Sequence, residues 1–400
     1  MKDISIITGS DLRFVMGVNY FIKSFIECNQ HFKDVKCNRV YAGPQMLKVD
    51  EGEKMPIGVG TETVKYKMRS GVRAFLRKLL TSRFYPFALF KYKLNERTVS
   101  RNSLSRFFSD DAPCDYIIFQ ETACAEYYFK HCEKYAKTKG IKTMLIIHSE
   151  NDSGSMLLDN FHGYGRRDME HRYYKMRDYV YQHVDTVMYI SEKAYKASIQ
   201  KENAKAFVYN GSPDIRYEFG DELHDVIQFV CVGSMVGRKG QDKIIEALRI
   251  MDDEHRNKIH VTFVGDGSEC PQLQSMTNKY NLERTVTFMG RRNDVPEILR
   301  GMDVFIMPST VEGLPMSAIE ALRAGLFLIL TDTGGNAELC ANECGLLCTR
   351  EPENILSRMN EVLEGKLISR EQKNRCRDYF LNNFSLEIMA QRYEKVLNEL

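Results

Sequence analysis

Two glutamates, Glu312 and Glu320, stand in the segment MPSTVEGLPMSAIEALRAG at positions 307–325. The apolar run 304–307 ahead of it reads as a buried strand ending at Pro308. Pro315 then reads as the first residue of a helix, where a missing N–H costs nothing. Gly325 reads as the residue that turns the chain beyond that helix. The amides around 314–317 lie at a helix start and favour an anion. A carboxylate accepts two hydroxyl hydrogen bonds and suits a sugar or ribose diol. One loop and one helix could therefore hold a phosphate, with a carboxylate for a sugar on each side. Glutamates at this spacing also occur on ordinary solvated helices. The context, Glu-Gly-Leu-Pro after a buried strand, is what favours a site.

A second segment, FVCVGSMVGRKGQDKIIEAL at 229–248, runs from a buried strand through a loop into a helix. Gly233, Gly237 and Gly240 permit close backbone approach, and Arg238 with Lys239 could neutralise a diphosphate. A solvated basic turn is the plainer alternative. A third segment, FVGDGSE at 263–269, ends another strand in glycines. All three lie at the carboxyl ends of expected strands, the edge at which open α/β sheets bind ligands.

The elements that must position these residues recur along the chain. Short apolar runs fall at 4–7, 116–119, 143–147, 186–190 and 206–209, then at 229–232, 260–264, 285–288, 304–307 and 327–330. Runs of this length suit strands buried on both faces of a parallel sheet, and the segments between them suit crossover helices. The α/β pattern occurs twice. The polar stretch after Asn210-Gly211 marks the break. The expected domains are 1–214 and 215–383, with a last amphipathic helix over 384–400 capped by Ser385.

A chain of 400 residues with 43% hydrophobic and 28% charged residues suits two soluble domains. A formal net charge of +2 offers no general attraction for nucleic acid. Eleven cysteines without a C-x-x-C pair read as free thiols rather than a disulfide framework. Cys340, Cys344 and Cys348 are evenly spaced but fit no common zinc knuckle, so no metal site is expected. The N-terminal apolar stretch is too short for a signal peptide, and no run reaches the length of a membrane-spanning helix. A cytoplasmic protein is expected, either free or peripheral on the inner face of the membrane. Residues 65–106 set twelve cations against one acid, Glu96, with interleaved apolar residues at helical spacing. That composition fits an interfacial helix facing an anionic membrane or a lipid-linked acceptor; a solvated basic face balanced by acids elsewhere in the fold is the plainer alternative.

The second half of the chain resembles the nucleotide-binding domain of family 4 retaining glycosyltransferases. The resemblance is carried by VGSMVGRKGQDKIIEAL, FVGDGSECPQL, VTFMGRRNDV, DVFIMPSTVEGLPMSAIEALRAG and TDTGGNAEL, in the family's order and spacing. The first half matches more thinly, through Gly17-Val18, a strand ending in His148, ISEKAY and YNGSPD. The resemblance implies a GT-B fold: two Rossmann-like doubly wound domains facing a central cleft, with a C-terminal helix crossing back to domain one. It implies that Glu312 faces the transferred sugar and that Glu320 binds ribose. Gly313, Leu314, Pro315, Met316 and Ser317 would hold sugar hydroxyls and the distal phosphate. Lys239 would neutralise the diphosphate, and Arg291 would border the base. From domain one, His148 would contact the donor sugar and Gly17 would approach the phosphates. Where the family usually carries arginine after the loop glycine, this chain has Ser234, and Arg238 is the candidate replacement.

The implied activity is metal-independent, retaining transfer of a hexose-type sugar from a nucleotide sugar to a glycan or lipid-linked glycan, in surface polysaccharide synthesis. The nucleotide sugar is a substrate, and no cofactor is expected. The alternatives are a non-catalytic nucleotide-sugar-binding protein and an epimerase or phosphorylase on the same fold. No nucleic-acid partner is implied.

Overall fold

A computed structural model of the chain describes residues 1–13, 17–56, 85–110, 112–132, 138–152, 154, 164–217, 224–365 and 367–400. Residues 85–93, 95, 164 and 165 enter by their backbone alone. The chain divides into two compact units. The first takes Met1–Ile190, Ala194–Val208 and Ala390–Leu400; the second takes Ser191–Lys193 and Tyr209–Met389.

The first unit is built on seven strands: β1 (Lys2–Ile7), β2 (Val35–Tyr41), β3 (Met46–Lys48), β4 (Tyr116–Phe119), β5 (Lys142–Ile147), β6 (Thr186–Tyr189) and β7 (Lys205–Phe207). Their order is β3-β2-β1-β4-β5-β6-β7. All pairs are parallel except β2 with β3. Every residue of β4 and β6 is buried, as continuous apolar runs covered on both faces require.

Two of these strands escape the apolar-run reading. The sequence of β2, VKCNRVY, interleaves Lys36, Asn38 and Arg39 with its apolar residues. Arg39 is nonetheless buried, because Asp50 and Asp110 pair with its guanidinium. Three-residue β3 is an antiparallel edge strand.

The second unit holds β8 (Ile227–Val232), β9 (Ile259–Val264), β10 (Val286–Gly290), β11 (Val304–Met307), β12 (Phe327–Thr331) and β13 (Gly345–Cys348). They form an all-parallel sheet in the order β10-β9-β8-β11-β12-β13. One core cluster joins Phe229, Cys231, Ile244, Leu248, Val261, Phe263 and Ile306. In each unit the strand order reverses once, between β1 and β4 and between β8 and β11. Those switch points open the crevices where doubly wound sheets take ligands.

The last helix, Leu386–Glu399, starts one residue after its expected cap, and Ser385 Oγ accepts from the Ile388 amide at 3.4 Å. Its end belongs to the first unit. Tyr393 packs edge-on against Phe25 at 5.0 Å, Glu394 accepts from the Lys33 and Asp34 amides, and the Leu397 carbonyl accepts from Tyr116 Oη at 2.8 Å. All eleven cysteines are unbridged, eight of them buried. Among the described residues no helix is long and apolar enough to cross a membrane.

Of the basic segment expected at 65–106, residues 65–84 lie outside the described residues, as do the side chains of Lys91 and Lys93. Helix Tyr85–Ser109 carries Arg97 and Arg101 exposed, while Glu96 pairs with Arg172 at 2.6 Å.

Candidate active site

In the second unit, the loop after β8 and the loop after β11 meet at the switch point. Gly240 has φ +76°, and a β carbon there would stand 2.3 Å from the Pro308 carbonyl oxygen. Only glycine allows the two loops this approach. The Thr310 amide donates to the Arg238 carbonyl at 2.8 Å. Arg350 bridges both loops, donating to the carbonyls of Pro308 and Gly237 at 3.0 Å each. A third loop, after β12, closes on the other side. Gly334 has φ +53° with its missing β carbon 2.1 Å from the Glu312 carbonyl oxygen, and the Gly335 amide donates to the Gly313 carbonyl at 2.7 Å. The backbone of Glu312 and Gly313 is thus held from two sides.

This frame brings three predicted side chains together. Lys239 Nζ donates to Glu312 Oε1 at 2.6 Å, and Arg238 Nη1 lies 3.6 Å from the same oxygen. The side chains of Glu312 and Lys239 are 7% and 11% exposed, that of Arg238 40%. Two cations therefore converge on one buried carboxylate. Ser234 is exposed and brings no charge, so Arg238 is the second cation of this loop. It also donates to the Val311 carbonyl at 3.3 Å.

Immediately beyond lies helix Met316–Arg323. Pro315 is not its first residue, as the sequence suggested, but its N-cap, with φ −71° and ψ 118°. Its carbonyl accepts from the Ala318 and Ile319 amides while its own backbone stays extended. Gly325 follows the helix with φ +75°, the left-handed turn expected of it. The first-turn amides, at Met316 and Ser317, have no acceptor within the helix and sit beside Gly313 and Leu314. Glu320 is half-buried on the same helix, one turn from Arg323. Arg323 is buried and donates to Ser212 Oγ at 2.9 Å. Arg291 is exposed just past β10, on a shallow surface hollow with Arg292, Asn293, Asp294 and Glu297.

The other two predicted residues lie in the first unit. Gly17 opens helix Gly17–Glu27, and among the described residues nothing stands within 4 Å of where its β carbon would be. His148 follows β5, half-buried, with Phe21 edge-on at 5.1 Å. Burial lowers its pKa to about 4.

Two residues the sequence reading passed over sit beside it at the end of β4. Gln120 Oε1 is 2.7 Å from His148 Nε2. Glu121 gathers the loop after β1, accepting from the Gly9 amide at 2.8 Å, Thr8 Oγ1 at 2.8 Å and Ser10 Oγ at 3.1 Å. Burial raises its pKa. A signal was present, since polar residues directly after the apolar run YIIF fall at the ligand edge of a parallel strand. Among the described residues no three His, Cys, Asp or Glu side chains gather where a metal could be held.

Chemically, the second-unit cluster offers two cations and a helix start to an anion, with a carboxylate at its rim. That combination suits a phosphate-bearing ligand with hydroxyls next to the phosphate.

Comparison with known proteins points the same way. Residues 218–380 match the family model described as Glycosyl transferases group 1. Over 162 residues the chain is 30% identical to the Escherichia coli UDP-Gal:alpha-D-GlcNAc-diphosphoundecaprenol alpha-1,3-galactosyltransferase, covering 40% of this chain and 42% of that protein. Over 165 residues it is 28% identical to the N,N'-diacetylbacillosaminyl-diphospho-undecaprenol alpha-1,3-N-acetylgalactosaminyltransferase of Campylobacter jejuni, again covering 40% and 42%. The matches thus span less than half of these relatives. Among solved structures, Anabaena HepE in complex with UDP aligns over 100% of both chains with a TM-score of 0.67 at 15% identity. The apo lipopolysaccharide outer core galactosyltransferase WaaB does so with a TM-score of 0.66 at 14% identity. At such identities the likeness concerns the fold, which is GT-B: two Rossmann-like α/β domains.

Proposed function

Because residues 218–380 match the glycosyl transferases group 1 family model, we propose that the chain is a retaining, metal-independent glycosyltransferase. It moves a hexose-type sugar from a nucleotide sugar to a glycan or lipid-linked glycan acceptor in surface polysaccharide synthesis. The observation that carries this reading is the convergence of Lys239 and Arg238 on Glu312 at the foot of helix Met316–Arg323. The names of the two bacterial relatives, whose acceptors are sugars on diphosphoundecaprenol, support a lipid-linked acceptor.

In the proposed reaction the bond between the anomeric carbon and the diphosphate oxygen breaks as the acceptor hydroxyl attacks from the same face. The leaving diphosphate gathers negative charge. Lys239, Arg238 and the first-turn amides of helix Met316–Arg323 supply the matching positive charge in a partly dry site. This supply of cations is what supports metal independence. The acceptor's proton passes to the departing phosphate, so no dedicated protein base is required. Glu312 accepts hydroxyls of the transferred sugar, and Glu320 accepts those of the ribose. The nucleotide sugar is the substrate, and no further cofactor enters.

A panel of UDP-, GDP- and ADP-sugars, scored by thermal stabilisation, identifies the donor. The expected result is one stabilising class, with nucleoside diphosphate released only when an acceptor lipid or glycan is added. Release without acceptor, or no stabilisation by any member, contradicts the reading.

A further inference from the structure

Strands β4 and β5 run parallel, with Phe119 opposite Leu145. The residues just beyond their carboxyl ends, Gln120 and His148, therefore meet, at 2.7 Å between Oε1 and Nε2. An amide oxygen can only accept. The contact places the proton on Nε2 and, in a neutral ring, leaves Nδ1 as a bare lone pair. Gln120 is 4% exposed, and its Nε2 is buried without a hydrogen-bond partner. An apolar side chain of the same size would avoid that unmade bond. What the glutamine contributes is the one oxygen turned toward His148.

His148 and Gln120 line a cavity of about 450 Å³ in the first unit. Of the other titratable side chains that share it, Glu121 and Glu96 are engaged elsewhere, and burial keeps the Cys124 thiol protonated. Glu121 accepts from the loop of Thr8, Gly9 and Ser10, and Glu96 is paired with Arg172. Burial holds the Tyr173 hydroxyl protonated, with its pKa at about 12. Phe21 covers the ring from the helix Gly17–Glu27. The hydrogen-bond partner of the His148 ring is thus an uncharged amide.

We propose that Gln120 is the positioning residue of His148, holding it as the neutral Nε2–H tautomer so that Nδ1 can accept a substrate hydroxyl. The hydroxyl rests on the glycosyltransferase reading; the tautomer does not. The burial that lowers the His148 pKa to about 4 agrees with a ring that stays neutral.

The test uses the full chain labelled with ¹⁵N-histidine, with His148→Ala assigning the resonance. At neutral pH the His148 nitrogens should report Nε2–H and titrate near pH 4. Gln120→Glu keeps the acceptor oxygen and adds charge. It should preserve the tautomer and raise the titration midpoint by about one unit or more, moving the acid limb of kcat with it. Gln120→Leu should mix the tautomers and lower kcat about tenfold, the equivalent of one lost orienting hydrogen bond. Calorimetric affinity for the nucleoside diphosphate of whichever donor class the thermal panel selects should stay unchanged in both. An Nδ1–H tautomer in the parent chain overturns the proposal, as do unchanged histidine signals in both variants. If the signals behave as expected and no donor and acceptor pair gives turnover, positioning stands and the proposed function alone fails.

Discussion

Because Lys239 and Glu312 pair while nearly buried, removing either charge should cost more than the pair itself contributes. At 2.6 Å the gross attraction between unit charges is about 6 kcal/mol in a medium of effective dielectric 20. Desolvation of two nearly buried groups opposes most of it, so the intact pair contributes little net stability. Removing one partner is different, because the other charge is left buried. Glu312→Leu strands the Lys239 ammonium, whose other close contact is Met307 Sδ at 3.6 Å, and should cost about 4 kcal/mol. Lys239→Met leaves Glu312 with Arg238 at 3.6 Å, and should cost about 3 kcal/mol. The double variant removes both charges and should cost no more than the worse single change, a coupling of about 3 kcal/mol.

Two units can unfold separately, so one global denaturation midpoint does not measure this. Hydrogen exchange resolved to the segment around β11 does. Costs that simply add would refute the pairing. The same geometry sets a binding expectation. On the proposed reading a diphosphate draws Lys239 away from Glu312, so Glu312→Gln should bind free nucleoside diphosphate at least as tightly as the parent chain. Its turnover should nonetheless collapse, because the sugar loses its carboxylate. A variant in which only KM rises contradicts a role for Glu312 in the transition state.

Glu320→Ala should weaken nucleoside diphosphate binding about tenfold or more, and Lys239→Ala further, since a charge-assisted hydrogen bond is worth roughly 1.5–3 kcal/mol; unchanged calorimetric affinity in both would mean the donor lies elsewhere. His148, with its folded pKa lowered to about 4, favours the neutral form. Its contribution is therefore whole above about pH 6.5 and is lost as pH falls toward 4. For a half-buried ring that is about 2 kcal/mol, and exchange in the segment around β5 should show it in the parent chain and not in His148→Phe. Residues 65–106 should bind anionic liposomes and not neutral ones in co-sedimentation. Equal binding to both, or to neither, leaves a solvated basic face.

Each expected apolar run coincides with a strand to within two or three residues. Most are central strands, which have no solvent side on which to put polar residues; β7 and β10 are partly exposed edge strands whose runs stay apolar all the same. β2 and β3 were hidden for the complementary reason. β2 buries Arg39 by pairing it with Asp50 and Asp110, a solution that no period or run announces. The helix after Pro315 was misplaced by one residue, because proline suits the first turn and yet here keeps an extended ψ of 118° while its carbonyl begins the helix ladder.

The second-unit site was legible because its parts are local. Gly240, Arg238, Lys239, Glu312 and Pro315 all lie in two short loops at adjacent strand ends, and each loop's chemistry can be read without the other. What the sequence withheld is how they combine. Nothing in the spacing places Lys239 Nζ on Glu312 Oε1, or shows that Gly334, far along the chain, leaves room for the Glu312 carbonyl. His148 shows the limit from the other side. A histidine at a strand end is visible, but its tautomer depends on Gln120, 28 residues earlier, and neither residue marks the other in the sequence. Parallel pairing of β4 with β5 is what joins them. In a doubly wound sheet the strand order therefore converts separate loop ends into one edge, and the chemistry follows from which side chains that order sets beside one another.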